Sequence, residues 1–458
     1  MIDSEETKVK KRIMAATTIA VGTCAGMIPS AHAQSSVTLW GLLDAGVSYI
    51  SNIGGHAAWR MDDGIALPNL MGFKGSEDLG NGTHAVFQLT TQFSLNGTLV
   101  SQASNGSGSG VGLFARNAWV GLDNDRYGKL SLGRQYDFMV DTLFYDVGAD
   151  IAMYGGGFYQ FRDGPFAKLG IPDSPPDEAF DFDRMNGDTP INNAVKYTSP
   201  LFGGLRFGGL YAFGGTAGNF RQNSADSFGA SYTVGSFAFG AAYTDIRYAA
   251  MLGDSIRTFG LGAKYNGQKL LVTTLFTNTR NTQNGAAVNA AEAGALYRFT
   301  PAFSTSLAYT YMWGNAGVDH NHAHQWGAVA KYFLSKRTAV YMQGAYQLTN
   351  AGATAVVNGT FGPSSSRSQF IGRIGMQTMF CRRQKERKNG KALHRLAAFY
   401  RENARQRGRT SAALAYCTVI ARSPIAARAR LRPVPACLRY VCAAAAWPCQ
   451  RRDRSLPS

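Results

Sequence analysis

Isolated cations interrupt apolar stretches at several points in this 458-residue chain. Lys74 stands between Phe73 and Gly75, Lys196 between Val195 and Tyr197, and Lys331 between Ala330 and Tyr332. Arg373 precedes Ile374, and Arg116 lies just ahead of Trp119 and Gly121. A charge between two apolar neighbours is what an extended strand shows when one face is wet and the other apolar. Such charges act on ions and dipoles rather than on covalent bonds. Acidic counterparts fall in one long segment, 138–191, which holds Asp141, Asp146 and Asp150, then Arg162 and Asp163, with Arg184 close to its end. Hydrolysis would need a nucleophile, a base and an orienting group in reach. Within 34–380 the histidines are His56, His84 and the group His320, His322 and His324, and none has a recognisable nucleophile beside it. Extended backbone would place those last three on one side, a geometry open to Zn²⁺. The simpler reading is a polar loop tip, and no metal or cofactor is expected. The glycine-rich run Gly106–Gly112 lacks the Gly-Lys-Ser/Thr of a phosphate loop and reads as a flexible connection.

The elements that must position these charges are strands. Alternation predicts sixteen: 36–50, 67–78, 84–96, 113–123, 128–137, 192–199, 205–214, 227–235, 237–247, 256–266, 268–280, 289–299, 303–314, 324–335, 338–349 and 368–380. Most are near the ~9–11 residues that cross a bilayer at a tilt. In 338–349, Val340, Met342, Gly344, Tyr346 and Leu348 take one side and Tyr341, Gln343 and Gln347 the other. Connections alternate between short turns such as Gly80-Asn81-Gly82 and long polar pieces such as 350–367. That asymmetry, with Tyr and Trp gathered near strand ends, is the pattern of an outer-membrane barrel. The rival is a soluble all-β protein, which would rarely need sixteen strands of this length. The fold class is therefore all-β, a 16-stranded antiparallel transmembrane β-barrel.

Charge and cysteine divide the chain unevenly. The whole carries a formal +17, suggestive of a nucleic-acid binder. Yet 381–458 holds 19 Lys and Arg against 3 Asp and Glu, whereas 34–380 holds 23 of each. No nucleic-acid partner is expected for the body. Its lack of cysteine argues against a disulfide scaffold or a thiol nucleophile. Residues 1–33 read as a signal peptide: basic at Lys8, Lys10, Lys11 and Arg12, then apolar, ending on Ser30-Ala-His-Ala33. The tail 381–458 is rich in Arg, Ala, Pro and Cys without alternation, and is expected to be a read-through or frameshift product.

Several segments carry a family likeness. Ser36-Val-Thr-Leu-Trp-Gly-Leu-Leu-Asp-Ala-Gly46, Gly72-Phe-Lys-Gly-Ser-Glu-Asp-Leu-Gly80, Trp119-Val-Gly-Leu122, Leu132-Gly-Arg-Gln-Tyr-Asp137 and Asn192-Asn-Ala-Val-Lys-Tyr-Thr-Ser-Pro200 resemble, in order, the general bacterial porins of Burkholderia and its relatives. The resemblance implies a homotrimer in the cell outer membrane, bounded by lipid and lipopolysaccharide and inserted by the barrel-assembly machinery. Small hydrophilic solutes and ions would diffuse passively through each pore. A substrate-selective porin for sugars or carboxylates is the alternative, and a barrel-type outer-membrane enzyme a remote one. The resemblance further implies that the long third loop folds into the pore. Its aromatics, Phe144, Tyr145, Tyr154, Phe158, Tyr159 and Phe161, favour packing over free solvation.

The constriction is then expected to set Arg116, Arg184, Lys74 and Lys196 against Asp141, Asp146 and Asp150. Parity assigns Trp119 and Gly121 to the lipid side, which turns Arg116 inward. Arg134 shares parity with Leu130 and Leu132, so it should face outward at a trimer interface. Leu70 and Pro190 stand where the family commonly has basic residues, which thins the positive cluster and puts anion preference in doubt. Phe380 matches the terminal aromatic that the assembly machinery reads, although here it is internal.

Overall fold

The computed structural model of the protein describes residues 36–100, 112–148, 164–172, 182–185 and 189–383. The expectations for 1–33, for Asp150, Arg162 and Asp163, and for the tail beyond Arg383 lie outside these residues. The chain opens with β1 (Ser36–Ile53), β2 (His56–Asp63), β3 (Leu70–Gly80), β4 (Thr83–Gln92), β5 (Asn117–Asn124) and β6 (Gly128–Gln135). It continues with β7 (Ile191–Thr198), β8 (Leu205–Ala212), β9 (Ala225–Val234), β10 (Phe237–Arg247), β11 (Ser255–Asn266) and β12 (Leu270–Asn281). The last five are β13 (Ala287–Arg298), β14 (Phe303–Gly314), β15 (His322–Phe333), β16 (Thr338–Thr349) and β17 (Ser368–Arg383). From β3 onward each strand pairs antiparallel with the next. β17 then pairs with β1 from Ile371↔Ile50 to Arg383↔Thr38 and closes the barrel.

Seventeen strands make sixteen staves, because β2 and β3 lie on the same side of β1. β2 pairs with its upper half, Ala45–Ile53, and β3 with its lower half, Ser36–Leu42. Segment 64–69 between them leaves the sheet and bends into the lumen. Asp44 holds it there: its Oδ2 accepts from Ala66 N at 3.0 Å, and its own N–H donates to Asn69 Oδ1 at 2.7 Å. The strands expected at 36–50 and 67–78 leave 51–66 as a connection, whereas His56–Asp63 within it forms β2. Its alternation was nonetheless visible, with Trp59 and Met61 outward and Arg60 and Asp62 inward.

The distribution of side chains is inside out. Leu261, Leu307, Met342, Ile374 and Met376 are exposed on the outer wall. Inward positions on neighbouring strands are Thr258, Ser306, Thr310, Gln325, Gln343 and Arg373, all buried. A water-soluble barrel would reverse this, whereas lipid outside and a polar lumen require it. No described helix is long and apolar enough to cross a membrane.

The long connection after β6 enters the lumen as expected. A short wide-turned helix, Met139–Val147, buries Met139, Leu143 and Val147 against β9, β10 and β11. It fits because the wall has glycines where the helix comes closest, with small residues such as Ala238 and Ala242 beside them. A Cβ on Gly229 would lie 2.2 Å from Thr142 Oγ1, and one on Gly240 would lie 2.5 Å from a Val147 methyl. Gly260 faces Leu143 in the same way. The segment between β16 and β17 also folds inward. Gln347 and Gln369 accept from the N–H groups of Val356 and Val357, at 2.9 and 2.6 Å.

The closing strand runs past the expected end at Phe380. Cys381, Arg382 and Arg383 remain paired with β1, opposite Trp40, Leu39 and Thr38. Phe380 lies across its partner Gly41, where any Cβ would come within 2.1 Å of the ring. The compositional seam therefore falls three residues before the strand finishes.

The glycine berth makes a direct prediction. Leucine at Gly240 costs about 1–3 kcal/mol of overpacking if the lumen helix stays in place. Displacing the helix relieves that cost, so single-channel conductance of Gly240→Leu should exceed that of the parent, measured on folded protein that still shows heat-modifiable migration.

Candidate functional site

Between the lumen helix and the wall lies a cavity lined from β1, β3, β4, β5, β6 and β7. Each strand sends inward the residues that its pleat allows. Lys74 comes from β3, Gln88 and Thr90 from β4, Trp119 from β5, Lys129 from β6 and Lys196 from β7. Opposite them the helix offers Val140, Asp141 and Phe144, and the neighbouring rings of Tyr136 and Tyr145, 6.1 Å apart, complete the lining. A third side is apolar: Trp40 and Leu42 of β1, Leu67 and Pro68 of the in-bent segment, Leu70 and Met379.

Lys74, Arg116, Lys196 and Asp141, expected together from sequence, do share this cavity. Lys196 Nζ donates to Asp141 Oδ2 at 2.5 Å and to the Tyr136 carbonyl at 2.6 Å, and it sits 4.7 Å from the centre of the Phe138 ring. The helix carboxylate thus touches the basic wall instead of facing it across open water. Arg116 reaches the lumen by a different route from the one expected. Val120 and Leu122 are 57% and 50% exposed on the outer face, so Trp119 points inward, and the sequence reading of this strand was one residue out of phase. β5 begins only at Asn117. Arg116, just before it, bends in to donate to Tyr136 Oη at 2.6 Å and to Gln92 Oε1.

The remaining expected residues lie elsewhere. Arg184 is not on this cavity. It is buried, donating to Asp137 Oδ2 and, at 2.6 Å, to the Thr189 carbonyl. That bridge ties the start of the inserted segment to its end, so Arg184 acts as a clamp. Asp146 accepts from Arg206 Nη1 at 2.7 Å and from Ser231 Oγ at 3.1 Å, on the β8–β9 wall. Arg134 is held within its own chain. Its Nε donates to the Ala115 carbonyl and its Nη1 to Asn192 Oδ1, beside the bulge at Gly133. Its charge needs no subunit contact to be satisfied. His322 and His324 open β15 on the outer face and are not a loop tip, His324 Nδ1 lying 2.8 Å from Tyr309 Oη and its ring stacking on Tyr311.

Sequence reasoning missed Lys129, Arg206 and the aromatic side of the cavity. Lys129 Nζ lies 5.0 Å from the centre of the Trp119 ring, within cation–π range. Both cations were legible by parity, since Lys129 alternates with the outward Leu130 and Arg206 with the outward Phe207. Lys129 has no ion-pair partner among the described residues. The described lining therefore holds four cations and one carboxylate. At about 4 Å and an effective dielectric of ~20, a lone cation attracts an anion by up to roughly 4 kcal/mol before desolvation.

The sequence pattern of Gram-negative porins matches residues 16–352. The chain is 28% identical over 333 residues to an outer membrane porin protein of Delftia acidovorans, covering 68% of this chain and 84% of that one. It is 30% identical over 215 residues to an outer membrane porin protein of Bordetella pertussis, covering 44% of this chain and about half, 48%, of that protein's length. Among solved structures it superposes on an anion-selective porin from Comamonas acidovorans with a TM-score of 0.60 at 22% identity, covering 76% of this chain and all of that one.

The Lys196–Asp141 pair gives a signed test. A unit charge at about 4 Å in a water-like medium is worth roughly 1 kcal/mol, or about fivefold. Asp141→Asn should raise chloride over potassium permeability by up to that factor and Lys196→Met should lower it, read as opposite shifts of reversal potential in a KCl gradient.

Proposed function

Because the chain belongs to the Gram-negative porin family, we propose that it is a general diffusion porin of the outer membrane, admitting small hydrophilic solutes and ions with a preference for anions. The surplus of cations over carboxylates along the lumen cavity carries this reading. Lys129 offsets the positive charge that Leu70 and Pro190 do not supply. The process is passive transport, and no covalent step or cofactor enters it.

The working unit is a homotrimer. An OmpT trimer form from Vibrio cholerae shares the fold, with a TM-score of 0.52 at 13% identity. Lipid and lipopolysaccharide meet the exposed apolar wall, and the barrel-assembly machinery inserts the chain. Residues 1–33 act as the export signal, and the tail after the last strand takes no part in transport.

Two measurements test this. In planar bilayers the protein should give a large ohmic conductance that rises with salt without saturating, and a reversal potential on the chloride side. Absence of any channel sinks the transport reading. For assembly, chains ending after Phe380 and after Arg383 should both give more heat-modifiable trimer than the full chain. The Phe380 end should give the most, because it alone restores a terminal aromatic, even though the Arg383 end keeps the three further β1-paired residues. Equal yields for all three would remove any role for a terminal aromatic.

A further inference from the structure

A passage built only for hydrated ions has no use for an apolar side. Here Trp40, Leu42, Leu67, Leu70 and Met379 form a continuous patch along the same cavity that Lys129, Arg116 and Lys196 line. The two characters meet at Trp119, whose ring carries the Lys129 ammonium on its face. The in-bent segment that contributes Leu67 is fixed by Asp44, so the patch is a built feature of the wall. Resting on the porin reading, we infer that this cavity is a transit site for small aromatic carboxylates, with the ring against the Trp40–Leu67–Leu70 patch and the carboxylate towards Lys129 and Arg116.

The chemistry matches that ligand class on both counts. A mostly apolar cleft with a few placed polar groups is the usual form of a small-molecule site. Charge-assisted hydrogen bonds from Lys and Arg hold a carboxylate and give nothing to a neutral ring. A sugar could stack on Trp40 but carries no charge for Lys129 and Arg116, and inorganic phosphate would gain nothing from the apolar patch. Retention must remain weak, since conduction requires a ligand to leave as readily as it enters. The site therefore shows itself as partial, saturable interference with ion flow.

The test uses trimers of the full chain in planar bilayers, with benzoate, acetate and phenol added to KCl. Benzoate should reduce the current saturably, at concentrations about tenfold below those at which acetate acts, and phenol should have no effect. Lys129→Met and Trp119→Ala should each weaken the benzoate effect by roughly tenfold, the equivalent of one lost contact. Lys331→Met removes a lumen cation from β15, outside the cavity, and should leave it unchanged. Equal effects of benzoate and acetate overturn the inference while the porin reading stands, as does a benzoate effect indifferent to both cavity variants. If no ohmic conductance appears at all, the porin reading itself has failed.

Discussion

A bilayer offers no hydrogen-bond partner to the peptide backbone, so the sheet has to end where it began. β1 meets β17 over thirteen residue pairs and takes β2 and β3 on its other side. Without that closure two strand edges would stand in hydrocarbon, each unpaired group costing several kcal/mol. Most other features follow from it. Closing a sheet of this size fixes a lumen, and the pleat then sends alternate residues into it. The seam carries its own lock: Arg373 Nε donates to Tyr341 Oη at 3.0 Å, Tyr341 donates to Asp44 Oδ1 at 2.5 Å, and Arg373 Nη2 lies 3.5 Å from Asp44 Oδ2. Removing Asp44 or Arg373 leaves the other as an uncompensated buried charge, typically a loss of about 3–5 kcal/mol. Asp44 joins the closing strand to the in-bent segment 64–69, so one carboxylate serves both the seam and the shape of the pore.

A lumen of sixteen staves is wide enough to need filling. Here it is filled asymmetrically, and the wall decides where. On β9, β10 and β11 the inward positions Gly229, Gly240 and Gly260 leave a shallow trough that accepts Met139, Thr142, Leu143 and Val147. Across the lumen β1, β3 and β5 present Trp40, Leu70 and Trp119 in place of glycines, and offer no such trough. The inserted segment therefore hugs one side and leaves the passage on the other. The Arg184–Asp137 clamp fixes its ends, so its position does not rest on apolar contact alone.

Strand number and inward parity were legible in the sequence because both follow from a period of two that persists along each strand. Lys74 and Lys196 sit in undisturbed alternation, and both face the lumen. Parity misled where the strand had not begun or was broken. Arg116 precedes β5, and Arg134 stands beside a bulge whose effect on direction no pattern of apolar residues records. Arg184 was misplaced for another reason. Its partners, Asp137 and Thr189, lie at the two ends of the inserted segment and meet only once it is folded back. β2 was overlooked because it has only 8 residues, fewer than an ordinary crossing, and shares its stave with β3.

The surplus of positive charge is a consequence of where the helix lies. Asp141 reaches Lys196 of β7, and Asp146, five residues on, reaches Arg206 of the neighbouring β8. The helix thus runs across the strands and spends its described carboxylates on the wall next to its berth. Lys129 of β6, one strand further on, feels Asp141 and its cross-strand neighbour Asp123 only at a distance, and it rests on Trp119 without a direct ion-pair partner among the described residues. A glycine trough on one wall, which says nothing about charge, so determines which cations on the other wall are left to act on solutes. Shifting the helix by a single strand would neutralise a different set, and selectivity would change without any substitution among the charged residues themselves.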